Sequence, residues 1–368
     1  MVDKKEIVSI KKCKNYSSRQ IGPALKQILA DCNFNISQKK VLIKPNLLAP
    51  HKPEDSITTH PKLLEELCRI LKKNKCEIFI GDSSSHDTDL AIEKCGIKKL
   101  SKYAEIINFD KEDKTKIKTN GEILKEFYLP KIIKKVDLII SFAKLKTHGL
   151  TKMTGGVKNL YGCIPGRSKE EYHNLAKNEE EFCNLILDIY REIKPEFCII
   201  DGIDALEGEG PGATGKKKKA GILIGSKDCV AADIIAARIM GFKENEVFTN
   251  KFAIKRNIFN KQIEVIGKIE NLNFERPHSS EIGNLIRIAH LLGKPKLVFN
   301  HSKCIKCGLC AKKCPVGAIK LEPYPIWDNK KCIRCLCCVE VCPTAAIHKK
   351  DHLLRAIGEY LYFKMKRV

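Results

Sequence analysis

The chain has 368 residues, 43% of them hydrophobic, enough for one large core and a small second one. Lysine and arginine number 67 against 44 aspartate and glutamate, a formal net charge of +23. No apolar run reaches the roughly 18 to 20 residues of a membrane span, and Met1 to Lys12 has no apolar secretory core, so a cytoplasmic protein is expected. The positive charge is spread along the chain without the interleaved aromatic and arginine pattern that base stacking favours, which disfavours nucleic-acid binding. Solvated surface accounts for most of it, and steering toward an acidic, soluble redox partner is compatible with the rest.

Residues 1–270 alternate short β-branched runs with helical stretches, the signature of an α/β domain whose mostly parallel sheet is covered by helices. Candidate strands are Val41 to Ile43, Glu77 to Ile80, Val136 to Ala143, Phe197 to Ile200 and Gly221 to Ile224. Candidate helices are Pro61 to Asn74, Asp89 to Cys95, Glu179 to Ile193 and Val230 to Met240. Residues 271–296 read as a connector with a helical stretch, Ile282 to Leu292. Residues 349–368 form a basic tail with Leu353, Ile357, Tyr360 and Leu361 on one helical stripe, expected to dock on its own protein.

Open α/β sheets bind ligands outside the carboxyl ends of their strands, and here those ends are polar. Val41 to Ile43 runs into Lys44 and Asn46, and Glu77 to Ile80 into Asp82. The third run ends in Lys144, Lys146 and His148, and the fourth in Asp201 and Glu207. Parallel strands would gather these groups on one edge. The lysines would then hold an anionic small molecule while His148 and Asp82 move protons. Further along, Gly155 and Gly156 permit close backbone approach to a ligand, with Lys158 and Asn159 following as contacts. His60, just before Pro61, is either a helix cap or a member of the site, and Asp201 and Glu207 would orient a ligand or bind a cation. Gly210 to Lys217 imitates a phosphate-binding loop but lacks the magnesium-binding hydroxyl and the helix that must follow. Lys216 to Lys219 is expected to be a solvated turn.

Residues 297–348 carry the most specific signal. Cys304, Cys307, Cys310 and Cys314 precede Pro315, and Cys332, Cys335, Cys338 and Cys342 precede Pro343, each copy reading C-x2-C-x2-C-x3-C-P. This spacing is that of a small α+β bacterial ferredoxin binding two [4Fe-4S] clusters, in which the fourth cysteine of each copy crosses to the other cluster. The expected sets are Cys304, Cys307, Cys310 and Cys342 for one cluster, and Cys332, Cys335, Cys338 and Cys314 for the other. Zinc is disfavoured because the third cysteine follows too closely for paired C-x2-C ligation. Two clusters in a cysteine-rich chain fit an anaerobic interior.

The segments Lys44-Pro45-Asn46, Thr59-His60-Pro61, Gly81-Asp82-Ser83, Lys144 to His148, Gly155 to Asn159 and Asp201-Gly202-Ile203, in this order, resemble the prokaryotic family named domain of unknown function 362. The resemblance covers roughly residues 5 to 265, and fusion to a two-cluster ferredoxin module is an arrangement associated with that family. It implies that these residues form a site and implies no substrate.

The sequence therefore points to an iron–sulfur oxidoreductase passing low-potential electrons to an anionic substrate or a partner-bound cofactor at the α/β domain. The alternative is an electron-carrying or assembly subunit that docks a partner without chemistry. Cys337 stands where the first copy has Leu309, so it is read as a bystander. Cys337→Ala is expected to retain iron and acid-labile sulfide while Cys335→Ala loses both, which iron and sulfide assays of the purified variants decide.

Overall fold

A computed structural model of the chain describes residues 5–166, 168–176, 178–243, 245–277 and 296–350. The connector helix expected at Ile282 to Leu292 and the stripe of the basic tail lie outside these residues. The strands of the larger domain are β1 (Glu6–Lys12), β2 (Lys40–Lys44), β3 (Glu77–Asp82), β4 (Glu105–Asn108), β5 (Lys114–Lys118), β6 (Glu126–Pro130), β7 (Leu138–His148), β8 (Lys152–Thr154), β9 (Phe197–Gly208), β10 (Gly215–Ser226) and β11 (Ile263–Ile266). One sheet runs β11-β1-β10-β9-β7-β2-β3-β4, with β8 paired to β7. Five of its neighbour pairs are parallel, β11 with β1, β9 with β7, β7 with β2, β2 with β3 and β3 with β4. Strands β1 with β10, β10 with β9 and β7 with β8 are antiparallel.

Alternating strand residues enter two separate cores, which is why the strands read as continuous apolar runs. Val41, Ile43, Ile78, Ile80, Ile140, Phe142, Phe197 and Ile199 pack on one face against α1 (Ser18–Asp31), α2 (Pro61–Lys73) and α3 (Thr88–Lys94). Leu42, Phe79, Ile139, Ala143, Cys198 and Ile200 face the other way. That second core also holds the β5–β6 hairpin and α4 (Ile132–Lys135), α7 (Glu179–Ile193), α8 (Cys229–Met240) and α9 (Phe248–Lys255). The short α5 (Gly156–Asn159) and α6 (Ser168–Leu175) lie between β8 and α7. Side chains start the longer helices: Asn178 accepts from Glu181 N at 2.8 Å, and Asp228 from Val230 N at 2.8 Å.

One local expectation is overturned. Lys216 to Lys219 form no turn but the first half of β10, in register with Glu207 back to Asp204 on β9. Alternating charged residues on a two-stranded extension are satisfied by solvent on one side, so a lysine run is no obstacle to strand pairing.

The smaller region repeats itself. Helix α10 (Leu309–Lys312) and strand β13 (Ile319–Leu321) recur 28 residues later as α11 (Cys337–Glu340) and β15 (Ile347–Lys350). Strand β12 (Lys296–Phe299) pairs with β15, and β13 pairs with β14 (Pro325–Trp327). Cys310, Ile319, Cys338 and Ile347, two from each copy, form the shared core.

Asp188 of α7 ties several segments together from a fully buried position. Its carboxylate accepts from Glu122 N at 3.0 Å, Ile123 N at 2.8 Å, Leu124 N at 2.9 Å and Arg256 Nη2 at 2.5 Å. A Cβ on Gly121 would fall 2.5 Å from the Asp188 Cγ, so the loop approaches this closely only with glycine there. Asp188→Ala leaves three amides unmatched and removes the buried counter-charge of Arg256, which keeps Glu122 and Asn184, and a loss of about 3 to 5 kcal/mol is expected. Chemical denaturation of variant and parent measures it, and an unchanged midpoint would refute the role.

Candidate functional site

The sheet changes winding direction between β2 and β7. From β2 the chain proceeds through β3 and β4 on one side, then returns to place β7 and β9 on the other. Strand ends at such a point leave a crevice. Here a cavity of about 760 Å³, part of it open to solvent, occupies it. Of the residues expected to form a site, Lys44, Asn46, Asp82, Lys146, Lys158 and Asn159 line this cavity. Its opposite wall is the ferredoxin-like region, through Lys313, Cys337, Glu340 and Val341. Polar contacts that join the two halves include His86 Nε2 with Val341 O at 2.8 Å, Lys313 Nζ with Glu170 Oε1 at 2.7 Å, and His148 Nε2 with Glu340 Oε1 at 3.3 Å.

At the end of β2, Lys44 is 1% exposed and pairs with Asp82 Oδ1 of β3 at 2.8 Å. The other Asp82 oxygen accepts from Leu47 N at 2.9 Å. Burial raises the Asp82 carboxyl above its usual range, with Lys44 and Lys169 opposing. Gly162 covers this pair so closely that a Cβ would sit 2.3 Å from Asp82 Oδ1 and 2.6 Å from Lys44 Nζ. Asn159 knits the floor, donating to Lys44 O at 2.9 Å and Ser141 Oγ at 3.1 Å while accepting from Asn46 Nδ2 at 3.2 Å.

On β7, Lys146 is 1% exposed and donates to Asn46 Oδ1 at 2.7 Å and Ile57 O at 2.8 Å, neither of them charged. Burial, and then Lys158, hold it well below the ordinary lysine value. His148 does not line the cavity; it stands behind Glu340. Its Nδ1 accepts from Leu150 N at 3.0 Å and Thr151 N at 3.3 Å, which places its proton on Nε2, toward the Glu340 carboxylate. Burial lowers His148 to about 4, so it is neutral at pH 7. Burial would raise Glu340, yet His148 and Lys158 outweigh this and keep it ionised.

Several residues expected in one site are arranged otherwise. Lys144 and Asp201 pair at 2.8 Å in a closed network with Tyr16, whose hydroxyl accepts from Lys144 at 2.9 Å. His60 caps α2, its Nδ1 accepting from Lys62 N at 3.2 Å, stacks on Tyr16 at 3.7 Å, and donates its amide to Asp201 at 3.2 Å. None of these lines the cavity. The close approach at Gly155 and Gly156 serves the protein and not a ligand. A Cβ on Gly155 would meet Asp233 Oδ1 at 2.1 Å, and one on Gly156 would meet Cys198 Sγ at 2.3 Å. Asp233 accepts from Gly156 N at 2.6 Å and Val157 N at 3.0 Å, occupying the start of α5. Glu207 is held on the β9–β10 ribbon by Lys218 at 2.7 Å and Glu275 N at 2.9 Å, away from the cavity.

The sequence reading missed Lys169, Tyr161, His173 and Thr154, all on the cavity wall. Lys169 reaches the Ser83 hydroxyl at 2.6 Å, and burial lowers it to about 8. His173 stacks on Phe182 at 4.2 Å and is lowered by burial to about 4. Lys169 and His173 belong to a charged, unpatterned helix, so only the fold brings them here. Cys337, read as a bystander, is buried and also part of the wall.

The ferredoxin-like cysteines form no disulfide among the described residues. Cys304, Cys307, Cys310 and Cys342 together line a cavity of about 320 Å³. Backbone amides donate to sulfur in matching places of the two copies, Ala318 N to Cys314 Sγ and Ala346 N to Cys342 Sγ, each at 3.2 Å. The loops repeat their left-handed residues, Lys306, Gly308 and Gly317 against Arg334, Leu336 and Ala345, although leucine and alanine are disfavoured there. Such strain is retained where a binding loop demands it. A cavity ringed by thiols that receive amide donors fits ligation of a 4Fe-4S cluster.

Comparison with known proteins agrees. The model of the family described as domain of unknown function (DUF362) matches residues 41–238, and that of the 4Fe-4S binding domain matches residues 297–320 and 325–348. The thylakoid-associated protein sll1697 of Synechocystis sp. is 29% identical over 239 residues, spanning 63% of this chain and 74% of that protein. The lactate racemase apoprotein of Thermoanaerobacterium thermosaccharolyticum is a solved structure with TM-score 0.41 and 16% identity, matched over 64% of this chain and 56% of that one. The first family match spans 198 residues (41 to 238) of 368, more than half of the sequence. The chain therefore belongs to the DUF362 family, and a 4Fe-4S binding region of two motifs follows its family domain.

Proposed function

We propose that this protein is a cytoplasmic iron–sulfur oxidoreductase that receives low-potential electrons from a soluble redox partner and delivers them to an anionic substrate, or to a partner-bound cofactor, in the interdomain cavity. The observation that carries this reading is the cavity's double wall: buried lysines on one side, the cysteine-bearing helix α11 on the other. The proposed ligand sets are Cys304, Cys307, Cys310 and Cys342, and Cys332, Cys335, Cys338 and Cys314. When bound, the two [4Fe-4S] clusters supply single electrons at low potential.

The wall residues Lys313 and Cys337 sit beside Cys314, Cys335 and Cys338, three of the four ligands in the second set. That set is therefore the delivery end. Cys307 is exposed, and Ile305 beside it is 63% exposed, which leaves the first set as the entry end. Exposed lysines at 303, 306 and 312 around that end favour an acidic donor protein. Within the cavity, Lys146 and Lys158 attract the anion. Asp82, whose carboxyl burial pushes toward protonation, is the group positioned on the floor to hold a proton. His148 keeps its own proton at Nε2 against Glu340 and so fixes α11 on the strand ends. Among the described residues no helix is long and apolar enough to cross a membrane.

The test is anaerobic reoxidation of the reduced protein by a panel of anionic acceptors, followed by absorbance. Lys146→Ala and His148→Ala, at iron content equal to the parent, are expected to slow at least one acceptor by about tenfold or more. Parent-like reoxidation by every acceptor in both variants would sink the proposal.

A further inference from the structure

The charges of the interdomain cavity identify part of its ligand. Lys44, Lys146, Lys158, Lys169 and Lys313 line it, against Asp82, Glu170 and Glu340. Lys44 pairs with Asp82 at 2.8 Å, and Lys313 with Glu170 at 2.7 Å. Lys169 is matched from behind the wall by Asp110, which accepts from the same Ser83 hydroxyl. Counted by formal charge, five lysines thus face four acidic side chains, a remainder of one positive charge, 5 − 4 = +1. That remainder lies on Lys146 and Lys158: Glu340 is the carboxylate near both, Asp82 also lies near Lys146, and neither lysine forms an ion pair with a described carboxylate.

The unused donors lie on one corner of the wall. Lys146 spends two of its three N–H groups on neutral acceptors and keeps one. Lys158 Nζ has no hydrogen-bond partner among the described residues, although burial holds it below the ordinary lysine value. Thr154 is 2% exposed, and its hydroxyl has no partner. The β7–β8 register sets Thr154 directly opposite Lys146, and Lys158 follows four residues later in α5. Cross-strand partners of this kind have Cβ atoms about 5 Å apart, within reach of one small group. A hydroxyl buried without a partner is unfavourable, and a bound oxyanion would satisfy it together with the unpaired Lys158 ammonium at the cavity wall.

We infer that this corner is an anion subsite that holds a carboxylate of the ligand between Lys158 Nζ and Thr154 Oγ1, with the remaining Lys146 N–H directed at the same group. Three donors and one spare charge match a planar monoanion. A phosphate dianion calls for more, and among the described residues no arginine lines the cavity to supply a fork. The inference rests on the cavity being the ligand site of the proposed function.

Anaerobic titration calorimetry of the iron-loaded, oxidised protein with succinate, acetate and inorganic phosphate tests it. Saturable binding of a carboxylate is expected, weakened about tenfold to a hundredfold in Lys158→Met and in the near-isosteric Thr154→Val, and largely kept in Lys158→Arg. Iron content and unfolding midpoint of each variant establish that the fold is intact. No carboxylate binding by the parent, undiminished binding in both weakening variants, or tighter binding of phosphate than of either carboxylate would overturn the assignment. If succinate binds as expected but no acceptor is reduced, electron delivery fails and the subsite stands. If delivery persists in Lys158→Met, the subsite fails and delivery stands.

Discussion

A lysine ammonium taken out of water must be matched by an acceptor or a counter-charge, and three strand-borne lysines here are essentially inaccessible to solvent. Lys44 is matched by Asp82 and Lys144 by Asp201, so β2 is tied to β3 and β7 to β9. Lys146 alone is matched by neutral oxygens, one of them the Asn46 amide at the end of β2. The edge of the sheet where these strands end is therefore built largely by charge matching, and the match is incomplete at Lys146 and Lys158. The glycines at 155, 156 and 162 follow from the same constraint, since each lets a buried carboxylate or thiol approach the backbone more closely than a Cβ permits.

The cavity owes its second half to the duplicated region. The two copies meet the strand ends unequally: α11 contributes Cys337 and Glu340 to the wall, whereas the first copy contributes Lys313, just past the end of α10. Glu340 has Lys312 at the equivalent position of the first copy, so the duplication has diverged at the residue that meets His148. The docking is therefore asymmetric although the cysteine pattern repeats.

Much of the fold was legible in the sequence. Candidate strands at Val41, Glu77, Phe197 and Gly221 and helices at Pro61, Glu179 and Val230 have observed counterparts, because sheet residues buried on both faces need unbroken apolar runs and caps mark helix starts. The lysine run at Lys216 was misread because charge density says where solvent is and not whether backbone pairs. Of the candidate site, Lys44, Asn46, Asp82, Lys146, Lys158 and Asn159 converge. Lys144 and Asp201 diverge because the β7–β9 register shifts between Lys144 and Lys146, an irregularity with no sequence mark.

What the sequence determined by itself was chemistry fixed by short covalent spacing. Thiols separated by two or three residues can ring a cluster whatever surrounds them, and unbroken apolar runs demand a doubly covered sheet. What only the tertiary structure decided was which polar groups share a space. Lys169 and His173 from a featureless helix, Thr154 from a three-residue strand, and Glu340 from the distant repeat reach one cavity through packing across the whole chain. Such meetings depend on long-range geometry that local residue patterns do not encode.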